Sequence, residues 1–320
     1  MKKIILIFLI ISALVTVSSI EGAVKAKTKK TLDAETALQM GREAFLNYDF
    51  EGAADLYDQY KSLKTKAKKP LDEEFEVWET QLEIASGAFD RVQQIVVIDS
   101  IIFPLSSFYK AYRLASSAGK IENPQNLKLG IDLNTSELAF INEDRDFLIT
   151  SEEGEDGFLK LVENRRLLDG TWESQDFMND ETDLNGDYAF PFMSGDGQTL
   201  YYANNGDDSM GGYDLFVVQK EPITGKVLQP LNLGMPFNSP YDDYLMAIDE
   251  ENGLGWWATN RNSEEDKVTV YIYLLDEIRK NYPTDTPDLS RYARLDDIKL
   301  TQDSTKSEDY KKILRSLEEN

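Results

Sequence analysis

Three stretches in the second half of this chain read as one sheet-forming module written three times. The clearest copy runs Asn185-Gly186-Asp187-Tyr188-Ala189-Phe190-Pro191-Phe192, then Ser194-Gly195-Asp196-Gly197-Gln198-Thr199-Leu200-Tyr201-Tyr202-Ala203, then Gly211-Gly212-Tyr213-Asp214-Leu215-Phe216-Val217-Val218. Its order is strand, tight turn, strand, loop, strand. Asp-Gly accepts positive φ and closes a hairpin, and aromatic or β-branched residues flank it. An upstream copy pairs Glu137-Leu138-Ala139-Phe140 with Phe147-Leu148-Ile149-Thr150-Ser151, then Gly157-Phe158-Leu159-Lys160-Leu161 and Gly170-Thr171-Trp172. A downstream copy pairs Asp243-Tyr244-Leu245-Met246-Ala247-Ile248 with Gly255-Trp256-Trp257-Ala258-Thr259-Asn260 around Asn252-Gly253, and closes at Val268-Thr269-Val270-Tyr271-Ile272-Tyr273. The copies recur at roughly 50–56 residues, longer than the ~40–45 of an ordinary propeller blade, with the excess in the polar loops 174–184 and 223–240. A single copy would leave an apolar face wet, so the copies must stack.

The 320 residues contain neither cysteine nor histidine. Disulfides, thiol nucleophiles, imidazole bases and nearly all zinc sites are thereby excluded. Carboxylate chemistry and calcium binding through oxygen survive. The formal net charge is -24. Such a field repels nucleic acid and anionic membrane surfaces and favours basic partners or divalent cations. Its simplest reading is solubility.

The first residues read as a secretory signal, 1–23: Lys2 and Lys3 precede an apolar run over 4–17, with small Ser18 and Ser19 after it. That run is shorter than the roughly 20 residues of a spanning helix. The expectation is an exported protein, periplasmic or outer-membrane-associated, with no transmembrane segment after cleavage after Ser19 or Ala23. No cysteine follows to carry a lipid. Residues 24–30 read as a short basic linker.

Residues 31–90 read as helical. Leu38, Gly41, Ala44, Phe45 and Tyr48 share one helical face, and Ala53, Ala54, Tyr57 and Tyr60 share another, with a turn at Tyr48-Asp49-Phe50. Gly41 and Ala53 admit close backbone approach, beside which Tyr57 fills the space. The lysine-rich stretch 61–70 reads as a loop, and 71–86 as a third helix. Residues 92–103 read as a strand bent at Asp99-Ser100, and 106–117 as a short helix stopped by Gly119. After 91–282, residues 283–290 read as a linker within a tail, 283–320, whose segment 307–317 forms an amphipathic helix carrying Tyr310, Ile313, Leu314 and Leu317.

The second copy resembles the WD40-like repeat of TolB-type propellers, through Asp196, Gly197, Leu200, Tyr201, Ala203, Gly211, Gly212, Tyr213, Asp214, Leu215 and Phe216. Gly41, Ala44, Ala53 and Tyr57 resemble a tetratricopeptide unit. The combination is similar to envelope proteins of the Bacteroidota. The resemblance implies an α+β multidomain protein: tetratricopeptide-like helical hairpins, then an all-β propeller-like domain of about four blades, complete or incomplete. Three copies do not close a ring comfortably, so a fourth would come from 92–133 unless the array is open.

The function expected is non-catalytic: contact with other envelope proteins, without a cofactor. A carbohydrate-binding protein or glycoside hydrolase using the propeller face is the alternative, and a calcium-stabilised surface protein a third. Asp187 and Asp243 stand at matching places in their copies, with Glu137 a third, and paired carboxylates can cleave glycosides. Residues repeated in every copy more often serve structure. Asp180, Asp183, Asn185 and Asp187, and likewise Asn204, Asn205, Asp207 and Asp208, offer oxygens to calcium, although solvated turns account for them as well. A metal site is left open. Gly211-Gly212 lacks the Lys-Ser/Thr of a phosphate loop. Partner contact is expected at Trp256, Trp257, Tyr213 and Tyr241. The adjacent tryptophans should point to opposite faces, one inward and one outward, with packing on a neighbouring copy the simpler role for the outward ring.

Overall fold

A computed structural model describes residues 32–131, 133, 135, 137–178 and 184–319. The signal segment, the basic linker, Asp180 and Asp183 lie outside them.

Three helices come first: α1 (Ala34–Leu46), α2 (Phe50–Ala67) and α3 (Glu73–Phe89). Asp33 caps α1 through the N–H of Thr36, and Asp49 caps α2 through that of Gly52. A β-carbon on Gly41 would stand 2.5 Å from the Tyr57 ring. The close approach expected of this pair is therefore present, and only glycine allows it. The stretch 61–70 is largely helix rather than loop. Lys61 pairs with Asp58 and Glu79, and Lys64 with Asp72, so ion pairs carry α2 about two turns further, to Ala67.

Strand β1 (Val96–Pro104) follows, with a bulge between Val97 and Asp99. Residues 105–118 form two 3-10 turns, not the helix expected there. Then come β2 (Lys120–Glu122), β3 (Ala139–Ile141), β4 (Phe147–Glu153), β5 (Leu159–Arg166) and β6 (Trp172–Asp176). The second copy supplies β7 (Tyr188–Met193), β8 (Thr199–Asn204), β9 (Asp214–Gln219) and a short β10 (Leu231–Asn232). The third supplies β11 (Asp243–Asp249), β12 (Leu254–Thr259) and β13 (Lys267–Leu274). The tail holds α4 (Leu289–Arg294) and α5 (Ser307–Glu319). α4 begins inside the stretch read as a linker. Tyr310 and Leu317 of α5 are buried in the main core.

The strands make three antiparallel sheets, none closed on itself: β2-β3-β4-β5-β6, β7-β8-β9-β10 and β11-β12-β13-β1. Together with the helices this is an α+β layout. Each repeated copy supplies three consecutive strands of one sheet. Among the described residues, 92–133 form no fourth sheet. β1 joins β13 at the edge of the third sheet, and β2 joins β3 at the edge of the first. The 3-10 segment between them lies along β11. There the Tyr112 hydroxyl donates to the Leu245 carbonyl (2.7 Å), and the Ala115 N–H to Asp249 Oδ2 (2.8 Å).

One apolar core runs through all three sheets. Phe140 meets Phe192 edge-on at 5.2 Å between the first and second sheets, and Phe190 meets Tyr244 at 5.5 Å between the second and third. The turns behave as their residues require: Asp196 Oδ1 accepts from the N–H groups of Gln198 and Thr199, and Gly197 adopts φ +65°. Helices and sheets meet where the Gln81 amide donates to the Gly211 carbonyl (2.5 Å).

Candidate functional site

Asp187 and Asp242 perform one task in successive copies. Asp187 takes the N–H of Leu159, at the start of β5, on Oδ1 (2.9 Å), and the Asn205 amide on Oδ2 (3.2 Å). Asp242 takes the N–H of Tyr213, just before β9, on Oδ1 (3.0 Å), and the Asn260 amide on Oδ2 (2.7 Å). The backbone N–H of each aspartate returns a bond to the same asparagine. Each aspartate thus fastens its own hairpin and the third strand of the preceding copy. The structural equivalent of Asp187 is therefore Asp242, not Asp243 as the spacing suggested. The acidic doublet made the alignment ambiguous by one residue.

Asp243 is fully buried and serves a different centre. Arg261 donates through Nη2 to Asp243 Oδ1 (2.6 Å) and the Phe237 carbonyl (2.6 Å), through Nη1 to the Pro236 carbonyl (2.8 Å), and through Nε to Thr259 (3.1 Å). Ser239 donates to Asp243 Oδ2 (2.7 Å). Burial disfavours the guanidinium, but Asp243 outweighs it and raises the Arg261 pKa. Nearby, Asp214 accepts from the N–H groups of Met210 (3.0 Å) and Gly211 (3.3 Å) and from Asn232 (2.8 Å). Burial and the proximity of Asp243 push Asp214 up to about 8. Sequence reading missed this hub. Its signal is the run of Asn238, Ser239 and Pro240 after Phe237, inside a stretch taken as a polar loop, with every one of these residues buried.

Asp187 and Asp243, the carboxylates the glycosidase alternative would use, are both engaged in hydrogen bonds within the fold. Among the described residues no three acidic side chains converge to hold a metal ion. Of the second acidic loop, Asn204 and Asn205 brace backbone, and Asp207 takes the Asn185 amide (2.8 Å).

The expected contact residues divide. Trp256 and Trp257 are both fully buried, so neither points outward to a partner. Trp257 stacks on Tyr271 at 4.9 Å and meets Phe237 edge-on at 5.2 Å. Both faces of β12 are covered, which removes the inside–outside alternation that the expectation relied on. The Tyr241 hydroxyl donates to the Leu46 carbonyl at the end of α1 (3.4 Å), joining helices to sheets. Tyr213 is half-buried. Its ring lies 6.0 Å from Phe190 and 6.3 Å from Tyr244. Burial, then Asp187, Glu137 and Asp242, push its hydroxyl up to about 12. These acids stand near the starts of the first strands of the three copies. The result is an aromatic patch in a field of carboxylates, one from each sheet.

At the other end of the same strands, beside the hairpin tips, lies a cleft of about 1230 Å³. It is lined by the 3-10 segment, β2, the β3–β4 turn, the β11–β12 turn and the end of α5.

No protein-family model and no curated protein matches the chain. The TolB-type and tetratricopeptide resemblances stand on the residues of this chain alone.

Proposed function

We propose that the chain is a non-catalytic exported protein that joins other envelope proteins by direct contact, with its three sheets acting as an incomplete propeller. The observation that carries this reading is the half-buried Tyr213 among Phe190 and Tyr244 with Glu137, Asp187 and Asp242 about it. An amphipathic aromatic ring within a negative field suits a basic protein surface, because the ring supplies contact area and the carboxylates steer a cation onto it. The overall charge of -24 favours partners of that sign. The exported location rests on residues 1–23. Among the described residues no helix is long and apolar enough to cross a membrane. The propeller reading is supported by the recurrence of three strands per copy and by the aspartate clasps that join one copy to the next.

A photo-crosslinking residue at Tyr213 tests this in cells of the source organism. The expected result is a discrete adduct with an envelope protein, lost when Glu137 becomes lysine. Adducts absent at Tyr213 but present at scattered control positions would refute it. A glycan array binding the purified chain at this face would favour the carbohydrate alternative.

A further inference from the structure

We infer that the seat of α5 is a helix-binding groove from which α5 detaches, and that the occupant replacing it is the α5 of a second copy of this chain. None of the residues about Tyr213 takes part.

The way α5 is held carries this. Tyr310, Ile313, Leu314 and Leu317 recur at helical spacing and form one apolar stripe. Tyr310 and Leu317 are buried in the main core, and Ile313 and Leu314 are half-buried against it. Among the described residues, the side-chain hydrogen bonds and ion pairs of α5 all stay within the tail. Glu308 pairs with Lys311 (2.7 Å) and Asp309 with Lys312 (3.7 Å). The Ser316 hydroxyl donates to the Ile313 carbonyl (2.7 Å), and the Tyr310 hydroxyl accepts from the Asp303 N–H (3.3 Å). None reaches a residue before Asp303. Apolar burial is non-directional, so α5 parts from its seat without breaking a polar tie to the sheets. The chain just before it is fastened. The Val97 N–H donates to the Thr301 hydroxyl (3.0 Å), and the Gln302 amide to the Val97 carbonyl (2.8 Å). Residues 303–309, between anchor and stripe, are all exposed. A fixed anchor, an exposed hinge and a terminal element held by fit alone make a unit that opens separately from the rest.

The occupant follows from the seat. Leu317 and Glu318 stand in the wall of the cleft of about 1230 Å³, which Tyr109, Tyr112, Leu114 and Ile121 also line. Departure of α5 empties the core positions of Tyr310 and Leu317 and leaves an apolar groove matched to a helix with that spacing. A helix of 13 residues is marginal alone in water, so a freed α5 gains its stability by seating again. The helix seen to fit the groove is α5 itself, and each further copy of the chain carries an identical one. Exchange of identical elements remakes the same contacts, and straightening an exposed hinge sacrifices little. The tethered helix competes at an effective concentration of order millimolar, so exchange grows as the chain approaches that concentration.

Three measurements on the signal-free full chain test it. In hydrogen exchange read by mass spectrometry, amides of 309–318 should exchange at least about a hundredfold faster than those of β12 and β13. In a fluorescence-anisotropy titration, a labelled peptide of residues 303–320 should bind the variant Leu314→Asp/Leu317→Asp, whose own α5 no longer seats. The wild-type chain, whose α5 competes, should bind it at least about tenfold more weakly. The same peptide carrying both aspartates should bind neither chain. In sedimentation, the wild-type chain should form a reversible dimer as it nears millimolar concentration, dissolved by excess peptide, and the variant should stay monomeric. The inference is overturned by α5 amides as protected as those of β12, by no binding of the peptide to the folded variant, by equal binding to both chains or of both peptides, by a wild-type chain that remains monomeric, or by a dimer that the variant also forms. Circular dichroism checks that the variant folds. If it does not, exchange, and sedimentation with and without the peptide, decide the matter on the wild-type chain alone.

Discussion

Arg261 and Asp243 form an ion pair from which water is excluded, with 2.6 Å between Nη2 and Oδ1 and both side chains fully buried. Three backbone carbonyls, of Pro236, Phe237 and Ala293, and the Thr259 hydroxyl accept the remaining guanidinium protons. The loop before β11, the end of β12 and helix α4 therefore converge on one cation. Arg261→Met strands a buried carboxylate and three carbonyls. The expected cost is about 3–5 kcal/mol, read by urea denaturation. Adding Asp243→Leu should recover part of that loss, because the uncompensated charge is gone. A double variant as unstable as the sum of the singles would refute the pairing.

Gly41→Ala sets two effects against each other. Alanine favours a helix interior over glycine by about 1 kcal/mol. Its methyl group would stand 2.5 Å from the Tyr57 ring, and overpacking costs about 1–3 kcal/mol. The net expectation is destabilisation, reversed when Tyr57→Leu makes room. Thermal melts of the single and double variants decide it.

Stability should fall as pH rises through the neutral range. Asp214 sits at about 8 when folded, against about 4 when unfolded. A folded pKa above the unfolded one gives stability that is whole below pH 4 and lost as pH climbs through 8. The groups facing Asp214 are the Met210 and Gly211 amides, Asn232 and Asp243. Asp214→Asn should flatten this slope in urea midpoints measured between pH 5 and 9.

A loss of opposite sign is expected in acid. Glu163 on β5 is buried and bonded to Lys220, which follows β9, and to Arg165. Burial opposes its charge, but the two cations prevail and hold its pKa below the usual carboxylate value. Its contribution is present above the unfolded pKa and disappears as pH falls through the folded one. Lys220→Met should cost about 3 kcal/mol at pH 7 and much less at pH 3. An equal cost at both would mean that the lysine acts only by packing over Phe177, whose ring lies 4.1 Å from its Nζ.

What could be read from the sequence was local. Asp196-Gly197 dictates a hairpin because its geometry depends on two residues. Gly41 and Tyr57 could be paired because helical spacing fixes which residues face one another. What escaped depends on neighbours distant in the chain. Trp256 and Trp257 look like an inward and an outward ring until both faces of β12 are found covered. The helix through Lys61 and Lys64 has no apolar stripe to reveal it and depends on Glu79 and Asp72. The partners of Arg261 come from three separate segments, so no window of sequence contains the hub. Asp242 and Asp243 differ by one position, and only strand register shows which of them clasps the preceding copy.

Strand β1 lies ahead of every repeated copy, yet it pairs with the last strand of the last copy, Val96 opposite Leu274. The array is thus stitched end to end. Evolution cannot lengthen it by appending a unit at its C-terminal end without displacing that stitch, so a further unit would have to be spliced in between existing ones. During synthesis, β1 leaves the ribosome long before its partner exists and must wait with a bare edge. A ribosome-stalled chain truncated before Lys267 should therefore show β1 open to protease, and the full chain should not.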